Sequence, residues 1–203
     1  MPVKQIKVGF DNFSYVIYDQ ELKKAAIVDP SYDASNSIKF VKENDFDLVY
    51  IINTHYHSDH TSANNKIKDI FPKARLISSK EEGLQLNPDI TVSDKNHLKI
   101  GNIDLEFLLT PGHTKGGICI IVDNEALITG DTLFIGDCGR TDLAGGDLYQ
   151  MFETLQRIKS LPDNLMVYPG HDYGSKPFDT LKNQKKTNKV LIAKNIDEFS
   201  KIP

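Results

Sequence analysis

The stretch Asn53-Thr54-His55-Tyr56-His57-Ser58-Asp59-His60 (NTHYHSDH) sets three histidines and an aspartate within the six positions from His55 to His60. It follows directly on Leu48–Ile52 (LVYII), an apolar run that reads as a buried strand. Loops at strand ends are where α/β-type sheets build their sites. A loop so dense in nitrogen and oxygen donors suits the binding of cations such as zinc, iron or manganese.

The same arrangement recurs further along the chain. Ile103–Leu109 (IDLEFLL) runs into Thr110-Pro111-Gly112-His113, Ala126–Thr129 into Gly130-Asp131-Thr132, and Leu165–Tyr168 into Pro169-Gly170-His171-Asp172. Five of the six histidines lie in these loops, and only His97, read as an ordinary surface or core residue, lies elsewhere. The five histidines with Asp59 and Asp131 exceed one tetrahedral site and suit two metals that share a carboxylate. Asp59 and Asp131 held close would repel each other, and two dications remove that penalty. Paired metals can hold a hydroxide at neutral pH and polarise a carbonyl beside it.

Around these loops the pattern alternates strands and helices. Ile6, Val8 and Phe10 mark a first strand, Ser14–Tyr18 a second and Ala25–Val28 a third. Ser35–Glu43 has helical spacing with Ile38 and Val41 inward and Asp33 or Ser35 as cap. Residues 60–70 read as a helix with Ile67 and Ile70 inward. Ala74–Ile77 is a strand, and Gly117–Asp123 and Ala126–Thr129 are strands joined by a turn at Asn124. Leu148–Lys159 carries an apolar stripe of Met151, Phe152, Leu155 and Ile158, and Thr180–Pro203 reads as helical and polar. The order predicts helices packed outside two mixed sheets.

Composition narrows the function classes. The 203 residues suit one well-cored domain spanning 1–203. A hydrophobic content of 39% with 26% charged residues is ordinary for a globular chain and argues against disorder. The net charge of −4 supplies no field for nucleic acid or anionic lipid. No apolar run is long enough to span a membrane, and MPVKQIKVGF lacks a signal-peptide core. With only Cys119 and Cys138 there is no disulfide framework, so a cytoplasmic location is expected. The oligomeric state, homo-oligomer or monomer, is not read from the sequence.

The order H-x-H-x-D-H at 55–60, then His113, Asp131 and His171, resembles the metallo-β-lactamase superfamily from Phe13 to about Tyr173. The resemblance implies an α/β (α+β) four-layer αββα sandwich with the site along one edge of the two sheets. It implies that His55, His57 and His113 bind one metal, that Asp59, His60 and His171 bind a second, and that Asp131 bridges them. Zinc β-lactamases carry Cys where Asp131 stands, and flavodiiron proteins carry Glu where His57 stands, so both branches are set aside. Nuclease branches lack support in an acidic chain without an aromatic-basic patch.

Two branches remain, both acting on small-molecule thiol conjugates. GDTLFIGDCGRTD (130–142) and LPDNLMVYPGHDY (161–173) are similar to glyoxalase II and to persulfide dioxygenase alike. Cys138–Asp142, His171–Tyr173 and the short tail lean towards the dioxygenase. The resemblance implies that dioxygenases keep all seven donors but hold one Fe(II) with only three, here His55, His113 and Asp131, so the donor set does not separate the branches. Thr132–Phe134 and Gly145–Asp147 resemble short glyoxalase II-type hydrolases, which lack the separate C-terminal helical substrate domain, as this chain is expected to. The expected activity is a thioester hydrolysis by a metal-bound hydroxide, with Asp59 orienting the nucleophile and Asp131 bridging; persulfide dioxygenation is the alternative.

Arg140 is a candidate clamp for a substrate carboxylate, since guanidinium binds carboxylate in a bidentate way, or else a salt-bridge partner of Asp137 or Asp142. Tyr173 is a candidate hydrogen-bond donor to substrate, or else packs beside His171. Lys176, Lys182, Lys185, Lys186 and Lys189 read as a solvated helix face, with contact to an anionic thiol cofactor as the other reading.

Overall fold

The computed structural model describes residues 2–202. In chain order its strands are β1 (Val3–Val8), β2 (Asn12–Asp19), β3 (Lys24–Val28), β4 (Asp47–Ile52), β5 (Arg75–Ser79), β6 (Ile90–Val92), β7 (Asn96–Ile100), β8 (Ile103–Leu109), β9 (Ile118–Val122), β10 (Ala126–Gly130), β11 (Met166–Pro169) and β12 (Asp179–Thr180). Its helices are α1 (Ser35–Glu43), α2 (Ser58–Thr61), α3 (Asn64–Ile70), α4 (Gly83–Leu86), α5 (Leu148–Lys159), α6 (Leu181–Thr187), α7 (Lys189–Ile192) and α8 (Ile196–Phe199).

The strands form two six-stranded sheets, ordered β1-β2-β3-β4-β5-β6 and β12-β11-β10-β9-β8-β7. Why the central strands are apolar on both faces follows from their period of two. On β2, Phe13, Tyr15 and Ile17 enter the core between the sheets, while Val16 faces outward to α1 and α3. On β9, Ile118, Ile120 and Val122 enter the same central core, and Cys119 and Ile121 face the outer layer of α5 to α8. Three apolar layers thus separate four layers of structure, the expected αββα sandwich.

Local chemistry sets the helix ends. Asp147 caps α5 by accepting the Gln150 N–H at 2.9 Å, and Arg157 and Lys159 lie in its last turn, where positive charge is favoured. Met151, Leu155 and Ile158 are buried, and Phe152 packs on Phe199 with ring centroids 5.7 Å apart. Before α1, Asp33 accepts the Ser35 N–H at 3.1 Å, but the cap position is Ala34, which makes no side-chain capping bond, so neither Asp33 nor Ser35 is the cap residue.

The structure corrects several expectations. Phe10 is not in the first strand: Gly9 turns the chain at φ +59°, and Phe10 is left 92% exposed. The helix expected over 60–70 is two helices, broken at Ser62–Ala63, and Ile70 faces outward while Ile67 is buried. The tail is not uniformly polar. Thr180, Asn188 and Asn195 cap three short helices, and Leu181, Val190, Leu191 and Phe199 seal the outer core. β6, β7 and α4 fall where no element was expected. Cys119 and Cys138 are both free thiols.

Candidate metal centre

β8, β9 and β10 are antiparallel in sequence and β10 is parallel to β11, so β8, β10 and β11 run in one direction. Their C-terminal ends therefore deliver His113, Asp131 and His171 to one edge of the second sheet. The loop after β4 brings His55, His57, Asp59 and His60 from the first sheet to the same place. All seven donors expected from the sequence converge there.

They form three overlapping groups: His55–His57–His113, His55–His60–Asp131 and Asp59–His60–His171. Within each group the ligand atoms lie within 4.8 Å of one another. Asp131 stands between the groups, with Oδ2 3.5 Å from His113 Nε2 and 3.3 Å from His171 Nε2, and Oδ1 3.4 Å from His60 Nε2. Asp59 Oδ2 lies 3.4 Å from both His60 Nε2 and His171 Nε2.

Outer contacts orient four of the rings. Nδ1 of His60 meets Asp29 Oδ2 at 3.2 Å, Nδ1 of His113 donates to the Arg140 carbonyl at 2.7 Å, Nδ1 of His171 meets Asp11 Oδ1 at 3.4 Å, and Nδ1 of His55 lies 3.1 Å from Thr54 Oγ1. Each contact turns the Nε2 of its ring inward. His57 is reversed, and its Nδ1 lies 2.9 Å from His113 Nε2.

The electrostatics fit a cation. Burial lowers the His55 pKa well below the ordinary value, with the neighbouring His60 adding to it, so His55 presents a neutral ring. Burial would raise Asp131, but the charge of His60 and hydrogen bonds from His171 and His60 outweigh it and hold the carboxyl well below its usual range. Asp59 is likewise lowered, its hydrogen bonds with His171 and His60 overcoming burial. Burial would lower His60 and His171, yet the facing aspartates raise His60 well above the ordinary value and His171 to about 9. The pocket thus favours positive charge. His55 Nε2 is buried without a hydrogen-bond partner, and buried Asp131 Oδ1 has only the long 3.4 Å approach of His60 Nε2. An orphaned buried atom costs roughly 1–3 kcal/mol, and a coordinated cation satisfies both. The residues present therefore fit bound divalent metal.

The centre opens into a cleft of 840 Å³ whose walls include Phe134, Ile135, Leu143 and Tyr173, and Asn183 and Thr187 of α6. Arg140 lines the cleft, but its guanidinium is held in a fork by Asp142, Nε to Oδ1 at 2.7 Å and Nη2 to Oδ2 at 2.8 Å. The salt bridge weighed for Arg140 is therefore present, with Asp142 as the partner. Tyr173 stacks on His171 at 4.7 Å with planes 10° apart, and burial pushes its hydroxyl up to about 12. Of the lysines, Lys176 pairs with Asp179 at 3.7 Å, Lys185 with Asp163 at 2.6 Å and Lys189 with Asp137 at 2.8 Å. His97 lies apart on β7, 2.9 Å from Asp104.

Sequence reasoning missed the residues behind the ligands. Asn12 donates to Asp59 Oδ2 at 3.1 Å, and Asp29 accepts the Thr54 N–H at 2.8 Å besides facing His60. A usable signal was Asp29-Pro30 at the end of an apolar strand, since a buried acid there needs donors. Gly170 also matters, because a Cβ on it would stand 2.3 Å from Asp131 Oδ1 and 2.9 Å from His60 Cε1. Gly170→Ala is expected to displace both side chains and weaken zinc affinity by about 10–100-fold. Competition against a chromophoric chelator measures this, and unchanged affinity would refute it.

Comparison with known proteins agrees with the architecture. The family model for the metallo-beta-lactamase superfamily matches residues 8–171, and the chain belongs to that superfamily. It is 34% identical over 187 residues to the probable polyketide biosynthesis zinc-dependent hydrolase PksB of Bacillus subtilis, covering 90% of this chain and 82% of that protein. It is 33% identical over 201 residues to hydroxyacylglutathione hydrolase of Pelagibacter ubique (98% and 83%) and 30% identical over 193 residues to human mitochondrial persulfide dioxygenase ETHE1 (94% and 75%). The crystal structure of ETHE1 from Myxococcus xanthus superposes with a TM-score of 0.88 at 27% identity, covering all of this chain and 92% of that one. These relatives support an enzyme of metal-dependent chemistry, with hydrolases and a dioxygenase at similar distance. Among the described residues no helix is long and apolar enough to cross a membrane.

Proposed function

We propose that the chain is a dinuclear metal-dependent hydrolase of a small-molecule thioester, of the glyoxalase II type. The observation that carries this reading is the second donor group. Asp59, His60 and His171 converge beside Asp131, with His60 Nε2 and His171 Nε2 only 3.2 Å apart. A filled dinuclear site is the simplest use of all seven donors; persulfide dioxygenases keep the same seven and load three, so metal content rather than the donor list separates the two readings.

In this reading His55, His57 and His113 would hold one metal and Asp59, His60 and His171 the other, with Asp131 available to both. Bound divalent cations supply an acidified water and Lewis-acid polarisation of a carbonyl. The protein's own part is orientation. Asn12 steers the Asp59 carboxylate, which orients the attacking water, and Asp29, Asp11 and the Arg140 carbonyl fix the rings. Phe134 and Ile135 give the cleft an apolar wall beside the place where the thioester would sit. Water adds to the thioester carbonyl, the C–S bond breaks, and a carboxylic acid and a thiol leave. Tyr173 and Arg140 stand in the cleft as substrate contacts, Arg140 only after exchanging its bond with Asp142.

The second reading is persulfide dioxygenation with one Fe(II). It is supported by the two-histidine, one-carboxylate set, His113 Nε2 and His55 Nε2 lying 3.5 and 4.0 Å from Asp131 Oδ2, and by the relative of that activity. Elemental analysis of protein purified anaerobically separates the two. About two metals per chain, with hydrolysis of an S-acyl thiol, is the expected result. One iron per chain, with oxygen uptake on a thiol persulfide, would replace the first reading by the second.

A further inference from the structure

The histidines of the first group come from two loops, and one buried side chain outside both joins them. Glu82 is 1% exposed. Its Oε2 accepts the Tyr56 N–H at 3.0 Å, between the ligands His55 and His57. Its Oε1 accepts the Gly116 N–H at 2.8 Å, three residues beyond His113. The His113 loop is itself a closed unit, since the Thr110 N–H donates to the Gly117 carbonyl at 2.7 Å and the Gly112 N–H to the Thr114 carbonyl at 3.0 Å. Holding Gly116 therefore holds His113.

The contact is reinforced at the same corner. Ser79 Oγ donates to the Gly116 carbonyl at 2.6 Å and accepts the Glu82 N–H at 3.3 Å, so Gly116 is held on one side by Ser79 and on the other by Glu82. A Cβ on Gly116 would lie 2.5 Å from Ser79 Oγ and 2.8 Å from Glu82 Cγ, an approach that only glycine permits. A second tie, the Ile118 N–H to the Thr54 carbonyl at 2.9 Å, joins the bases of the two loops. Glu82 joins them beside the ligands.

We propose that Glu82 is a positioning residue for the His55–His57–His113 group, setting the distance between the two loops that carry those ligands. The proposal rests on the metal-centre reading above. The chemistry calls for a carboxylate, because the position faces two N–H donors and needs two acceptor oxygens. Glutamine has one acceptor oxygen and would turn its NH2 towards one of those donors. Burial raises the Glu82 pKa, and the Thr114 hydroxyl with the N–H groups of Gly116 and Tyr56 pulls it back. A buried acid without a cation at its side is costly, and these donors are its compensation.

The test is zinc titration of the full chain against a chromophoric chelator, for wild type, Glu82→Ala, Glu82→Gln and the exposed neighbour Glu81→Ala. Repeating it in a His171→Ala background assigns the first-group event. The expected result is a first-group affinity about 10–100-fold weaker in Glu82→Ala. Glu82→Gln should fall between it and wild type, with second-group affinity and circular dichroism unchanged. Glu81→Ala should match wild type. If Glu82→Ala does not fold, Glu82→Gln carries the reading. A lowered melting temperature with both affinities intact would make Glu82 merely structural and overturn the proposal, as would equal weakening of both groups. Failure of the wild type itself to bind zinc, cobalt or iron would overturn the metal-centre reading instead.

Discussion

Asp131→Ala is expected to lose bound metal and thioester hydrolysis together. Its carboxylate reaches both donor sets, with Oδ2 3.5 Å from His113 Nε2 and 3.3 Å from His171 Nε2. Without it, the five rings face one another with Asp59 as the remaining carboxylate of the seven donors. Hydrolysis should fall by at least about a thousandfold, or about 4 kcal/mol of transition-state stabilisation, as when an electrostatic anchor of the reaction is removed. The backbone should tolerate the change: Gly130 and Gly170 remain bonded through the Gly170 N–H at 2.8 Å, and β10 keeps its register with β11. His113→Ala should behave in the same way, through loss of the first group. Elemental analysis and a thioester assay on each variant as purified, beside the wild type, measure both effects. Full turnover in either variant would remove the centre from the reaction.

Much of the architecture was legible because both faces of the central strands are buried. An apolar run such as Ile118–Val122 can be found without knowing which face is which. The outer elements were harder. β7 exposes most of its side chains, so it carries no apolar run to find. Phe10 continues an alternation that Gly9 ends, and an apolar side chain in a turn looks from sequence like the next strand residue. In the tail, Asn188 and Asn195 read as generic polar residues until their side chains are seen to accept the Val190 and Glu198 N–H groups. For the centre, the histidines were legible because they cluster at strand ends. Asn12, Asp29 and Glu82 were not, since each is a single polar residue whose partner lies 25 to 47 positions away. A buried acid declares itself through its environment, which periodicity does not record.

His171→Ala is the second large effect, and it separates the two chemistries within one protein. His171 belongs only to the second group, its Nε2 3.2 Å from His60 Nε2 and 3.4 Å from Asp59 Oδ2. It also sits under Tyr173 and edge-on to Phe134, so its removal disturbs the cleft wall as well as the donor set. In a dinuclear hydrolase, metal content should drop from about two per chain to about one, and thioester turnover should fall by about 100–1,000-fold. The His55–His57–His113 group does not include His171, so the remaining metal should be held with wild-type affinity. If the protein instead works with a single iron on His55, His113 and Asp131, the variant keeps its one iron and much of its oxygen uptake on a persulfide. Measuring metal content and both activities on the same preparation decides between them, because the two readings make opposite demands on one imidazole.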